Sequence, residues 1–150
     1  MLHITFRDIT IEDCDFILDI RNNEETRKYL HNNIVLSKAD FLKWFTETNP
    51  KWKIIYLDSM PIGYVRTSDI AVNSSIKIGM DIDLKYRNKG YAQEAYKLLF
   101  SDLLMQGFKK VWLEVLPTNI RAKHIYEKLG FVEICAEENS IIYEKQLQEV

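Results

Sequence analysis

The sequence predicts one α/β domain in which a mixed sheet is covered by helices on both faces. Three observations carry this reading. Short segments alternate with period 2, longer ones repeat their apolar residues with period 3.6, and strands mostly follow one another with helices interspersed. A length of 150 residues suits a single domain over 1–150, one that buries roughly 70% of the surface its unfolded chain exposes. Hydrophobic residues at 47% and charged residues at 28% exclude the disordered, collagenous and coiled-coil classes. No repeat, low-complexity tract or linker interrupts the chain.

Residues 2–7 open as a half-buried strand, with Leu2, Ile4 and Phe6 alternating against His3, Thr5 and Arg7. At Ile9 the period changes. Thr10 is a good N-cap, Glu12, Asp13 and Asp15 suit a first turn, and Phe16, Ile17 and Ile20 form an apolar stripe, so a helix runs to about Asn22. A short helix follows over Glu24 to Leu30. Ser37 to Asp40 resembles a capping box opening a third helix, with Phe41, Leu42, Trp44 and Phe45 on its contact side and Asn49-Pro50 closing it. Trp52 to Leu57 and Ile62 to Thr67 then read as a hairpin across the turn Asp58 to Pro61, and Asn73 to Ser75 turns into the next strand. In that strand Ile76, Ile78, Met80 and Ile82 share one face, and Lys77, Gly79, Asp81 and Asp83 the other. A long helix covers about Gly90 to Gln106, stopped by Gly107. Lys110 to Leu116 is a strand broken by Pro117. Thr118 or Asn119 caps the last helix, which Gly130 ends, and strands near Phe131 to Ala136 and Ile141 to Lys145 complete the chain.

Charge and cysteine content remove several function classes. Twenty Lys plus Arg against 22 Asp plus Glu leave −2, which argues against a surface that grips nucleic acid or anionic lipid as a whole. The distribution is uneven: residues 1–84, 85–128 and 129–150 carry −3, +5 and −4. Cys14 and Cys135 cannot build a disulfide framework, and no Cys/His spacing suggests zinc, so no metal is expected. With no apolar run long enough for a signal segment or a membrane span, a cytoplasmic setting without membrane contact is the expectation.

The segment Ile82 to Ala92 runs directly from a strand into a long helix. A glycine turn at such a junction exposes backbone N–H groups at a helix N-terminus, where the dipole adds about half a positive charge, and this binds phosphates. Gly90 removes a Cβ that would keep a phosphate off the backbone, Ala92 keeps the next turn small, and Arg87 and Lys89 supply countercharge. A basic loop that merely caps the helix fits this segment equally well. A second element decides between them. Arg-x-x-Gly-x-Ala at 87–92, followed by Asn-x-x-Ala-x-x-x-Tyr-x-Lys-x-Gly-Phe at 119–131, resembles the GNAT superfamily of acetyl-CoA-dependent N-acetyltransferases, and the resemblance covers nearly the whole chain. Ala92 stands where many members have glycine.

The resemblance implies a mostly antiparallel mixed sheet with splayed central strands, acetyl-CoA as acetyl donor, and roles for individual residues. Backbone amides of Arg87, Asn88, Lys89, Gly90, Tyr91 and Ala92 would hold the pyrophosphate. Main-chain groups of Asp81, Ile82 and Leu84 would pair with the pantetheine arm, and Asn119 would hydrogen-bond it. Tyr126 would stand near the sulfur as general acid, since a phenol with pKa near 10 still carries its proton at neutral pH. Asp81 and Glu114, on the strands flanking the opening, are candidate bases. His124, about 200° around the helix from Tyr126, is expected to face away from the site.

The acceptor is read from the amino-terminal third. Arg21, Asn22, Tyr29, His31 and Trp44 are the candidate acceptor residues. This layout resembles enzymes that acetylate nucleotide-linked amino-sugars, and is similar also to spermidine and ribosomal-protein alanine acetyltransferases. A polyamine favours a polycarboxylate pocket, whereas a nucleotide-sugar favours aromatic and cationic contacts. The second fits better, so a small-molecule amine, the amino group of a nucleotide-linked amino-sugar, is the expected acceptor. A protein N-terminus or a polyamine is the alternative. Self-association is common in the family, which adds a homodimer to what the resemblance implies, and a GNAT-like module that binds without catalysing is the competing class.

Overall fold

The computed structural model describes residues 3–68 and 74–147. Leu2 and Asn73, assigned above to the first strand and to a turn, lie outside the described residues. The order is β1 (Ile4–Asp8), α1 (Cys14–Arg21), α2 (Glu24–Arg27), α3 (Lys38–Thr48), β2 (Lys53–Leu57), β3 (Met60–Thr67), β4 (Ser75–Ile82), α4 (Tyr91–Met105), β5 (Lys110–Val115), α5 (Ile120–Lys128), β6 (Val132–Glu137) and β7 (Ser140–Gln146).

Local chemistry explains most boundaries and the few shifts. The first helix is shorter than its sequence pattern, because a 3₁₀ turn at Ile11–Asp13 precedes it. There the Asp13 carboxylate accepts from Thr10 N at 2.7 Å and pairs with Arg7 at 2.7 Å. The second helix closes after one turn instead of reaching Leu30. Ser37 caps α3 through Asp40 N, as expected. The hairpin turn is tighter than the sequence suggests: Asp58 takes φ 54°, and Met60 and Pro61 already belong to β3. Asn119, not Thr118, caps α5 by accepting from Ala122 N.

One seven-stranded sheet runs in the order β1-β2-β3-β4-β5-β7-β6, antiparallel at every step except β4 against β5. Alternation along the strands sends Ile55, Val65, Ile78 and Leu113 into a core under α4 and α5, and Ile54 and Tyr64 into a second core under α1 and α3. Phe41 anchors the second core, only 1% exposed, with ring contacts to Trp44 at 5.5 Å and Phe45 at 6.3 Å. Truncation to Ala is expected to cost about 3–5 kcal/mol through lost burial and a cavity, a large share of a domain's stability. A fall in the urea midpoint checks this; an unchanged midpoint would mean that the α3 layer is not coupled to the fold.

The feature that positions the site is where β4 and β5 part. They pair only from Ser75–Lys77 to Lys110–Trp112. Beyond that point β4 stays with β3 as far as Ile82 and β5 stays with β7 as far as Val115. Two strand edges therefore face each other across a gap, carrying backbone donors and acceptors that need partners.

Candidate active site

The gap opens into a cleft of about 1050 Å³ lined by the ends of β4 and β5, the N-terminus of α4, one face of α5 and residues of the 25–30 segment. The loop after β4 is built stepwise. Asp83 Oδ1 accepts from Lys85 N at 3.1 Å and caps a 3₁₀ turn over Leu84–Tyr86. Asn88 takes φ 67° and Gly90 φ 84°, left-handed conformations that asparagine and glycine adopt most readily. The first helical bond of α4 runs from Glu94 N to Gly90 O at 3.3 Å, so the amides of Tyr91 to Gln93 precede it and have no intrahelical acceptor. A Cβ built on Gly90 meets nothing within 4 Å. Packing does not require that glycine; its backbone conformation and the open side of the cleft do.

Tyr126 projects from α5 into the cleft, held edge-on to Tyr96 at 5.9 Å between ring centroids and against Phe131 at 5.7 Å and Tyr143 at 6.0 Å. Burial raises its phenol above the ordinary value, and the neighbouring Tyr96 hydroxyl acts in the opposite sense. Tyr126 and Tyr96 belong to the α4/α5 side. Asp81 stands on the other side, directly across the strand pair from Tyr64. Arg66 Nε lies 3.2 Å from Asp81 Oδ2, an ion-pair distance at which neither atom has an aligned hydrogen bond. Glu114 accepts from Lys77 Nζ at 2.8 Å and Ser140 Oγ at 3.0 Å, with His31 Nε2 at 3.8 Å. The Lys77 bond holds its carboxyl below the usual range.

The structure brings together Asp81, Ile82, Leu84, Arg87, Asn88, Gly90, Tyr91, Ala92, Glu114, Asn119, Tyr126 and Tyr29 along this cleft. Lys89 is not part of the lining. The Arg87 side chain turns inward, away from the countercharge role expected of it. Its Nε donates to Ile82 O at 2.7 Å and its Nη2 to the buried Thr26 Oγ1 at 2.6 Å, tying the loop to β4 and α2. Arg21 and Asn22 instead order the segment after α2, Arg21 donating to Ile34 O at 2.8 Å and Asn22 exchanging bonds with Leu36 at 2.8 and 2.9 Å. Trp44 packs on Trp52 at 4.8 Å in the second core. These three are structural, outside the cleft. His124 is exposed at the cleft margin, nearer the site than helical angle alone suggests.

A family model for the acetyltransferase (GNAT) domain matches residues 3–132. The chain belongs to the GNAT family. Membership places an acetyltransferase domain over most of the chain. A curated relative, the ribosomal protein bS18 alanine N-acetyltransferase of Haemophilus ducreyi, is 31% identical over 58 residues, a stretch spanning 39% of this chain and 40% of that enzyme. A domain from Methanocaldococcus jannaschii superposes with TM-score 0.87 at 25% identity, covering 97% of this chain and 99% of that one. The spermidine N-acetyltransferase of Vibrio cholerae, in complex with CoA and spermine, gives 0.84 at 19% identity over 96% and 95%.

The residues of this GNAT cleft fit a CoA-type ligand: open space over Gly90, unpaired amides at the start of α4 and two facing strand edges offer an anion cradle and a slot for an extended polar arm. Among the described residues no group of three or more His, Cys, Asp or Glu is placed to hold a metal ion, and no helix is long and apolar enough to cross a membrane. Sequence reasoning missed Arg66 and undervalued Tyr96. The first signal was present as one arginine closing the apolar run Ile62 to Val65; Tyr96 was hidden in an apolar helical stripe.

Proposed function

We propose that the chain acetylates the primary amine of a nucleotide-linked amino-sugar. The observation that carries the acceptor class is electrostatic. Apart from Arg87, whose donors go to Ile82 O and Thr26 Oγ1, the cleft presents four cations, Lys28, Arg66, Arg121 and Lys128, against the three carboxylates Glu25, Asp81 and Glu114. Each carboxylate already faces a cation: Glu25 with Lys28 at 2.6 Å, Asp81 with Arg66 and Glu114 with Lys77. A polyamine needs uncommitted carboxylates, and an anionic acceptor needs surplus cations; the lining supports the second. An exposed Cys135 and a buried Cys14, both free thiols, are in keeping with the cytoplasmic setting this reading assumes. The likeness to an alanine N-acetyltransferase supports a protein N-terminus as the second reading.

Bound acetyl-CoA supplies an activated acyl group. Amides of the 88–92 turn would hold its phosphate oxygens, and main-chain groups of Asp81, Ile82 and Leu84 would pair with its extended arm. Asp81 would take the proton that the acceptor amine loses on acetylation, directly or through water. Glu114 is the second candidate base, weakened by its bond to Lys77. Tyr126 would supply the proton that the leaving thiolate needs, and its proton is available because burial keeps the phenol neutral.

A thiol-release assay with acetyl-CoA across a nucleotide-linked amino-sugar, spermidine and an alanyl peptide tests both parts. The amino-sugar is expected to give the highest kcat/KM; spermidine ranking first would overturn the acceptor. Acetyl-CoA is also expected to raise Tm by mass action, by about 4 kcal/mol of added stability at a thousand times Kd. No shift at millimolar concentration would remove the donor.

A further inference from the structure

Arg66, on β3, lines the cleft. Its register partner on β4 is Gly79. A Cβ there would sit 2.7 Å from Arg66 Cζ and Nη2 and 3.0 Å from Nη1. The guanidinium therefore lies over the glycine, in a place any other residue would fill. Its side chain is 38% exposed and lines the cleft. Among the described residues no acceptor takes a hydrogen bond from its Nη atoms. The adjoining Asp81 carboxylate is 11% exposed, and the contact between the two is out of line for a hydrogen bond. A pair serving only to neutralise itself would align, since buried polar atoms without aligned partners are costly and are kept where something else completes them.

We propose that Arg66 selects the acceptor: its guanidinium fork, laid over Gly79 beside Asp81, reads an oxygen carried next to the amine being acetylated. Asp81 accepts from the amine, and the Nη donors meet a hydroxyl or carbonyl oxygen one or two carbons away. Amino-sugars carry such oxygens on their ring. A peptide N-terminus shares the chemistry through its first carbonyl. A linear polyamine has only methylenes and further ammonium groups to offer, and a guanidinium repels those. This inference rests on the cleft being the site of amine acetylation, and narrows which amines it takes.

The test uses two matched acceptor pairs, an amino-sugar against cyclohexylamine and an alanyl peptide against propylamine. For each, kcat/KM is measured, together with acceptor affinity for the CoA complex by calorimetry. Arg66→Met is expected to lower kcat/KM and affinity for the oxygenated member of a pair about 10–100-fold more than for the plain amine, as loss of a charged hydrogen bond does, whatever loss the two share through Asp81. Arg66→Lys keeps the countercharge of Asp81 and the acetyl-CoA Tm shift but lacks the planar fork. It is expected to lose selectivity about tenfold, and it decides the matter should Arg66→Met fail to fold. Equal losses for both members of each pair, or no loss, would overturn the proposal. Loss confined to the peptide pair, with no turnover of amino-sugar, would refute the amino-sugar reading while leaving the role of Arg66 intact.

Discussion

Tyr126→Phe is expected to lower kcat roughly 10²–10⁴-fold, the usual contribution of a positioned proton donor, with little change in the affinity for acetyl-CoA. The substitution suits the question because Phe keeps the ring contacts with Tyr96, Phe131 and Tyr143 and deletes only the hydroxyl. The pH profile adds a second reading. Burial raises the Tyr126 pKa above the ordinary phenol value, the neighbouring Tyr96 hydroxyl opposing it. The acid form therefore persists across neutral and moderately alkaline pH, and any fall in kcat caused by Tyr126 lies above about pH 10. Turnover like that of the wild type in Tyr126→Phe would reduce the residue to a packing aromatic, and a retained acetyl-CoA Tm shift in the inactive variant would separate lost chemistry from lost binding.

Tyr126 also illustrates which parts of the molecule were legible in its sequence. It sits in a motif of fixed spacing on one helix, and local spacing is what a linear reading resolves. The turn at Gly90 was legible for the same reason: strand, glycine and helix are contiguous, and the junction alone dictates exposed amides. The splay of β4 and β5 was legible only through family resemblance. Nothing in Ile76 to Asp83 or Lys110 to Leu116 records that pairing stops after Lys77 and Trp112; that is a property of two strands more than thirty residues apart. Arg87 shows the opposite failure. An arginine in a basic loop reads as a phosphate ligand, but Thr26 Oγ1 and Ile82 O take its donors, and Thr26 lies 61 residues earlier in the chain. Trp44 was misplaced because an aromatic on an amphipathic helix looks alike whether it faces a ligand or a neighbouring Trp52. Arg66 needed the register with Gly79 before either residue meant anything.

The near-neutral charge of the chain bears on the cofactor turn. Its total of −2 conceals +5 over residues 85–128, the segment that supplies the α4 N-terminus and, through Arg121 and Lys128, part of the cleft lining. With the Arg87 side chain committed elsewhere, capture of a phosphate at the turn falls to backbone amides, and those cannot be removed by truncating a side chain. They can be blocked. Gly90→Val puts a branched side chain at φ 84°, where L-residues are strained, and into space that the protein leaves open. Two effects are expected and are separable. The backbone strain costs about 1–3 kcal/mol of stability, visible as a lower urea midpoint without ligand. The blocked cradle removes the acetyl-CoA Tm shift and raises Kd beyond about 100-fold, a cost set by displacing several charge-assisted bonds at once. Gly90→Ala carries most of the strain but far less bulk, so it should lose comparable stability and retain more affinity. If both variants lose stability while Kd stays at the wild-type value, the turn is a helix cap and the phosphate is held elsewhere.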